Sequence, residues 1–346
     1  VTPGALTPGT PEPDPTPRPR PSRGRVALVI IGSLLAVAAA VALVRAIQAW
    51  HTRGFVEWPM PRATDIPTAI AVGPDGTAWF TIEFSDAIGR VRSERIETLR
   101  KGQLNVEPLG LAVDAAGAAW YTDAPIRAVS RITSDGQVST FPLGTPVAKL
   151  ARLAVAPDGT VWFAEGTSAS VTRLRDGVLT RHQASPATGT PFGVAIDRRG
   201  TVWATLQGAN RLLRLTPDGT LTELDLPFRA GMPTDVAVDA QGGVWFVLFR
   251  TGRIGGYMGG RFTEFTPPTR NPGVTALAVA PDGAVWFTEL RAHRLGRLRD
   301  GVITEFPLPR RGARPFGIAV DSASNVWYTD LSGWVGRLAA SRAAQR

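Results

Sequence analysis

The chain has no cysteine, which excludes disulfides, thiolate metal ligands and cysteine nucleophiles and leaves the redox compartment open. Lysine is nearly absent too: Lys101 and Lys149 are the only two, so arginine carries the formal net charge of +9. Those arginines are scattered at recurring places rather than gathered in one stripe, so nucleic acid is not expected as a partner. Histidine is scarce. His51 follows an apolar segment, His182 falls in an outer strand on the solvated rim, and His293 lies in a loop on the ligand-facing side, the one histidine placed to act as a base. Glycine (37) and proline (29) are abundant instead, which suits an all-β fold with many turns.

One tryptophan recurs seven times, as Trp79, Trp120, Trp162, Trp203, Trp245, Trp286 and Trp327, at spacings of 41 or 42 residues. Each sits in nearly the same text, such as LAVAPDGAVWFTE at 277–289 and IAVDSASNVWYTD at 318–330. A period near 40 with four strand-like pieces per unit predicts propeller blades. An apolar run forms the innermost strand, and a turn with glycine three residues before the tryptophan leads into the second. A third strand reads Leu-Gly-Arg-Leu at 295–298, and a Thr-Glu-Phe-Pro strand at 304–307 is the outermost, its proline marking an edge. The seventh repeat ends after its third strand, while Phe55–Pro61 upstream matches the missing fourth. The N-terminal strand is therefore expected to close the last blade, giving an all-β seven-bladed β-propeller over 55–338.

Upstream, 1–25 is a Pro/Arg-rich tail expected to be disordered. Val26–Val44 is an uncharged apolar run whose ~28 Å helical length suits one transmembrane helix, a signal anchor. Arg18, Arg20, Arg23 and Arg25 precede it, which puts the N-terminus in the cytoplasm and the propeller outside. The alternative is a secreted protein after signal cleavage. Residues 45–54 read as a juxtamembrane linker and 339–346 as a C-terminal tail.

The loops entering each innermost strand and leaving each tryptophan strand share one face, the channel mouth, the expected ligand site. Four blades place an acid three residues after the tryptophan: Asp123, Glu165, Glu289 and Asp330. These acids form either a collar for a cation or basic ligand, with Glu289 and Asp330 as metal candidates, or structural ties to the third-strand arginines Arg131, Arg173, Arg297 and Arg337. Where other blades have glycine or alanine, blade 3 has Arg152 and blade 5 has Asp235, with Lys149 nearby. The alternatives there are a cross-channel pair and a ligand contact.

The repeat text, PxGIAVDxxGxxWFTE followed by IGRL and GxITEFPLP, resembles the streptogramin B lyase (virginiamycin B lyase) family, propellers related in style to the NHL type. The resemblance covers about 55–338. It implies ring opening of a depsipeptide by elimination, with a histidine base, a substrate-positioning histidine and carboxylates holding Mg²⁺. The family's Glu-Pro-His aligns with Arg314-Pro315-Phe316, its metal carboxylate beyond the last tryptophan with Leu331, and its other histidine with Thr275. The motif residues are not matched, and no histidine follows residue 293. The expectation is a monomeric, membrane-anchored ligand-binding or sensor propeller without the family's activity and without a cofactor, taking a small molecule or peptide at its mouth. The alternative is a Mg-dependent carbon–oxygen lyase or other enzyme with a relocated site at that mouth.

Overall fold

The computed structural model describes residues 37–42, 53–102, 104, 108–144, 149–185 and 189–343. The chain divides into two units, Val1–Trp50 and His51–Arg346. In the first, residues 37–42 are helical and the rest of the Val26–Val44 segment lies outside the described residues, as does the 1–25 tail. Among the described residues no helix is long and apolar enough to cross a membrane.

The second unit is seven four-stranded antiparallel sheets. Six are built from consecutive strands. The seventh takes its outermost strand from the other end of the repeat region: Phe55–Pro59 pairs with Trp334–Leu338 in the register Phe55↔Leu338 to Pro59↔Trp334. Stacking of Trp58 on Trp327, at 5.7 Å between ring centroids, reinforces that closure. A helical turn, Ala340–Ala343, ends the described chain.

Each blade packs its tryptophan against the next blade, with Trp162 and Trp245 only partly buried. Trp79 of blade 1 clusters with Leu111, Tyr121 and Ile132 of blade 2. Trp286 of blade 6 clusters with Ile318 and Tyr328 of blade 7, and Trp327 with Ile70 and Phe80 of blade 1, so the apolar contacts run round the ring. The residue after the tryptophan faces the opposite blade surface, where the third strand makes room for it. In blade 6 Phe287 is paired with Gly296, and a Cβ there would lie 2.2 Å from the Phe287 ring. The same fit recurs at Gly89 on Phe80, Gly255 on Phe246 and Gly336 on Tyr328, which gives the Leu-Gly-Arg text its glycine.

Candidate functional site

The mouth is shaped by a break in the innermost strands. In every blade except blade 2, whose strand is only Leu111–Val113, register slips by one residue near the mouth, for instance between Pro191 and Val194 or Pro315 and Ile318. A threonine two residues after the tryptophan holds many of these bulges. Thr205 Oγ1 accepts from the Gly193 amide (2.8 Å) and donates to the Thr234 carbonyl of blade 5 (2.7 Å). Thr81 does the same between Ala69 and Pro108, Thr288 between Ala276 and Phe316, and Thr329 between Gly317 and Thr68. Neighbouring inner strands come so close that a Cβ on Gly193 would sit 2.4 Å from the Thr234 oxygen.

Blades 3 and 5 have Ala164 and Val247 in place of that threonine, and they are the blades carrying Arg152 and Asp235. Arg152 Nε lies 3.0 Å from Asp235 Oδ1, an ion pair two blades apart across the mouth, without hydrogen-bond alignment at Nε. Asp235 is buried and also accepts from the Leu277 amide of blade 6 at 2.9 Å. Burial pushes its carboxyl up, while Arg152 and the two backbone amides pull it down. The two side chains thus meet each other across the mouth.

A cavity of about 460 Å³ opens at the mouth, reached by blades 1, 2, 3, 4 and 7. Its apolar wall includes Phe192, Phe316, Leu109 and Leu331, with Lys149 and Glu83 the two charged residues in its lining. Lys149 is exposed and Phe192 and Phe316 are half-buried. Two positions singled out from the sequence, Phe316 and Leu331, thus share the cavity with Lys149. Thr275 instead turns its hydroxyl to Thr288 (2.8 Å) and the Phe316 carbonyl (2.8 Å). Phe192 and Leu109 are not among the residues that the sequence singles out. The signal for Phe192 was present: Pro-Phe-Gly occurs in blades 4 and 7, which puts both phenylalanines first in the bulge pair.

The four acids do not gather. Each lies in its own blade, on the face of the aromatic that follows the tryptophan. Asp123 pairs with Lys101 at 3.3 Å, and both are buried. Burial raises the Asp123 carboxyl and lowers the Lys101 ammonium, each effect opposed by the pairing. Glu165 accepts from Arg181 (3.0 Å) and Thr172 (3.1 Å). Asp330 pairs with Arg310 and accepts from the Arg314 amide at 2.9 Å and from Ser332. The third-strand arginines are not the partners, because register places them opposite the tryptophans (Arg297↔Trp286, Arg337↔Trp327) on the other blade face. Their guanidinium carbons lie over those rings, at 5.8 Å and 5.2 Å to the centroids.

Glu289 differs. It is fully buried, and neither carboxyl oxygen has a hydrogen-bond partner among the described residues. Burial pushes its pKa up to about 8, neighbouring Glu305 adds to the shift and Arg294 opposes it. Among the described residues no three His, Cys, Asp or Glu side chains gather as a metal site would need. Asp330, next to Leu331, already has both oxygens engaged, and Arg314 adds positive charge, so this donor set does not suit Mg²⁺.

His293 is exposed, with its Nδ1 at the Ala313 carbonyl, and outside the cavity. Its backbone has φ 58°, the left-handed place that Gly252 and Gly333 fill in blades 5 and 7. His182 is not solvated as expected. It stacks against Trp162 at 5.4 Å, and burial followed by the charge of Arg173 lowers its pKa.

Seven blades with a bulged, partly apolar mouth define a propeller of the streptogramin-lyase-like class. The family model described as Virginiamycin B lyase family matches residues 45–206 and 106–345, and the chain belongs to that family. A virginiamycin B lyase of Nocardia farcinica is 36% identical over 152 residues, which is 44% of this chain and about half (52%) of that relative's length. A streptogramin B lyase structure is similar at 25% identity and TM-score 0.77, covering 84% of this chain and 98% of that one. A catalytically inactive histidine-to-alanine variant of virginiamycin B lyase from Staphylococcus aureus, with quinupristin, aligns at 24% identity and TM-score 0.77 over 82% of this chain and 98% of its own, a likeness of fold.

Proposed function

We propose that the propeller binds a peptide-like ligand with apolar rings at its mouth and does not open it by the family's elimination. The observation that carries this reading is the composition of the mouth cavity. It pairs two half-buried phenylalanines with aliphatic neighbours, a size and character suited to ligand binding. Elimination needs a base beside an acidic C–H and an electrophile for the resulting enolate. Phe316, Thr275 and Leu331 stand where the family's histidines and one carboxylate align, and among the described residues lining the cavity Glu83 is the one carboxylate. The quinupristin complex of the Staphylococcus aureus relative supplies the first ligand class to try, the streptogramin B depsipeptides.

Titration calorimetry with quinupristin tests the binding half. The expected result is saturable binding that weakens about tenfold, ~1.4 kcal/mol, on Phe316→Ala and on Phe192→Ala. Binding indifferent to both substitutions, or no binding by any streptogramin B compound, removes this reading. Family membership favours a lyase as the second reading, with Glu83 the carboxylate in the cavity lining.

The apolar run Val26–Val44, with arginines before it, supports a membrane anchor that leaves the propeller outside the cytoplasm. Release of the full-length chain from membranes by an alkaline carbonate wash contradicts the anchor.

A further inference from the structure

Away from the mouth, the seven blades allow an internal comparison. In blades 2, 5 and 7 the innermost strand is followed by an aspartate whose carboxylate accepts from the blade's tryptophan. Asp114 Oδ2 takes Trp120 Nε1 and Arg131 Nε, both at 2.9 Å. Asp239 takes Trp245 Nε1 at 2.8 Å and Asp321 takes Trp327 Nε1 at 2.9 Å. Blade 3 has Ala156 at that place. Among the described residues Trp162 has no internal acceptor, and Arg173, which sits opposite it, has a buried Nε without a hydrogen-bond partner and only a 3.4 Å contact to Thr180.

These groups line a cavity of about 590 Å³ between blades 3 and 4, formed largely by hairpin turns on the side opposite the mouth. Trp162, Arg173 and His182 form one wall, and Arg175, Arg198 and Arg199 add positive charge. Its aspartates are engaged elsewhere: Asp158 pairs with Arg175 at 3.4 Å, while Asp197 and Asp218 cap their own turns. Ile196, Val202 and Leu215 give it an apolar side.

We propose that this groove is a second binding site, for a small organic carboxylate with an apolar body, whose carboxylate takes the place that Asp114 holds in blade 2. The carboxylate accepts from Trp162 Nε1 and the Arg173 guanidinium, and the apolar body lies against Ile196 and Leu215. Charge-assisted hydrogen bonds to a partly enclosed guanidinium are among the stronger polar contacts available to a ligand. The volume lies within the range of small-molecule pockets.

The probe is N-acetyl-L-phenylalanine, with its uncharged methyl ester as control, followed through the indole N–H signals of the propeller in ¹H–¹⁵N spectra. Trp162→Phe identifies the Trp162 signal. The acid is expected to shift that signal saturably in the millimolar range, and the ester at least tenfold more weakly. Arg173→Gln is expected to reduce affinity about tenfold. The decisive variant is Ala156→Asp, which restores the carboxylate that blades 2, 5 and 7 already accommodate. It should keep the fold, raise Tm and abolish binding at this groove. Equal binding of acid and ester, a Trp162 signal unmoved by the acid, or undiminished binding in folded Ala156→Asp overturns the proposal.

Discussion

Glu289 is the residue whose chemistry departs furthest from its position in the repeat. Its blade 2, 3 and 7 counterparts each have a basic partner, whereas Glu289 is buried with both oxygens unbonded, and its pKa rises from 4.5 to about 8. Between those pH values the folded chain holds a proton that the unfolded chain has lost. Its contribution to stability is therefore fully present below about pH 4.5 and lost as pH rises toward 8, at up to ~1.4 kcal/mol per pH unit. Glu289→Gln keeps the shape and removes that ionisation. In urea unfolding it is expected to stay close to the parent at about pH 5 and to exceed it by roughly 4 kcal/mol at about pH 9. Equal pH profiles for the two proteins contradict a buried, protonated Glu289. The sequence showed an acid at this place in four blades, but its partner depends on side chains from other strands and loops, Arg181 in blade 3 and Arg310 in blade 7. Spacing within one repeat does not reveal those choices.

At the scale of the element, alternation along the strands explains both what was legible and what was not. The tryptophan and the aromatic after it point to opposite faces, so the 41- or 42-residue rhythm and the glycine turns suffice to place four strands per blade. The third-strand glycine has its reason in the partner strand, where an aromatic ring occupies the space of its Cβ. Gly296→Ala sets a methyl 2.2 Å from the ring of fully buried Phe287 and is expected to cost about 2 kcal/mol, read as a lower urea midpoint at unchanged m. The same substitution at Gly301, a turn position with nothing within 4 Å, tests backbone strain alone, at φ 78°. If the Gly296 variant is no less stable than the parent, the ring does not fill that space. The inner-strand bulge escaped sequence reading because strand periodicity predicts an unbroken pleat. That slip decides that Phe192 and Phe316 share one cavity and that Arg152 reaches Asp235.

For the molecule as a whole, ring closure by Phe55–Pro59 was readable from the two ends of the repeat, since the missing fourth strand of the last blade is spelled out before the first. The mouth was readable as a place and only partly as a composition. Lys149, Phe316 and Leu331 meet there, whereas the acids, for which a collar and structural ties were the alternatives, are distributed one to a blade and engaged or enclosed within it. Kinship with the virginiamycin B lyases and a mouth walled by Phe192 and Phe316 together lead to the central claim, a family member that binds and does not cleave. The direct measurement is incubation of the protein with quinupristin and Mg²⁺, followed by chromatography with tandem mass spectrometry. Fragmentation is needed because elimination breaks the ester C–O bond, leaving an acid and an alkene at unchanged mass, whereas hydrolysis adds a water. The account predicts that quinupristin is recovered cyclic under conditions where calorimetry shows it bound. A linear, dehydrated-residue product that forms with the parent protein and depends on Mg²⁺ would contradict it.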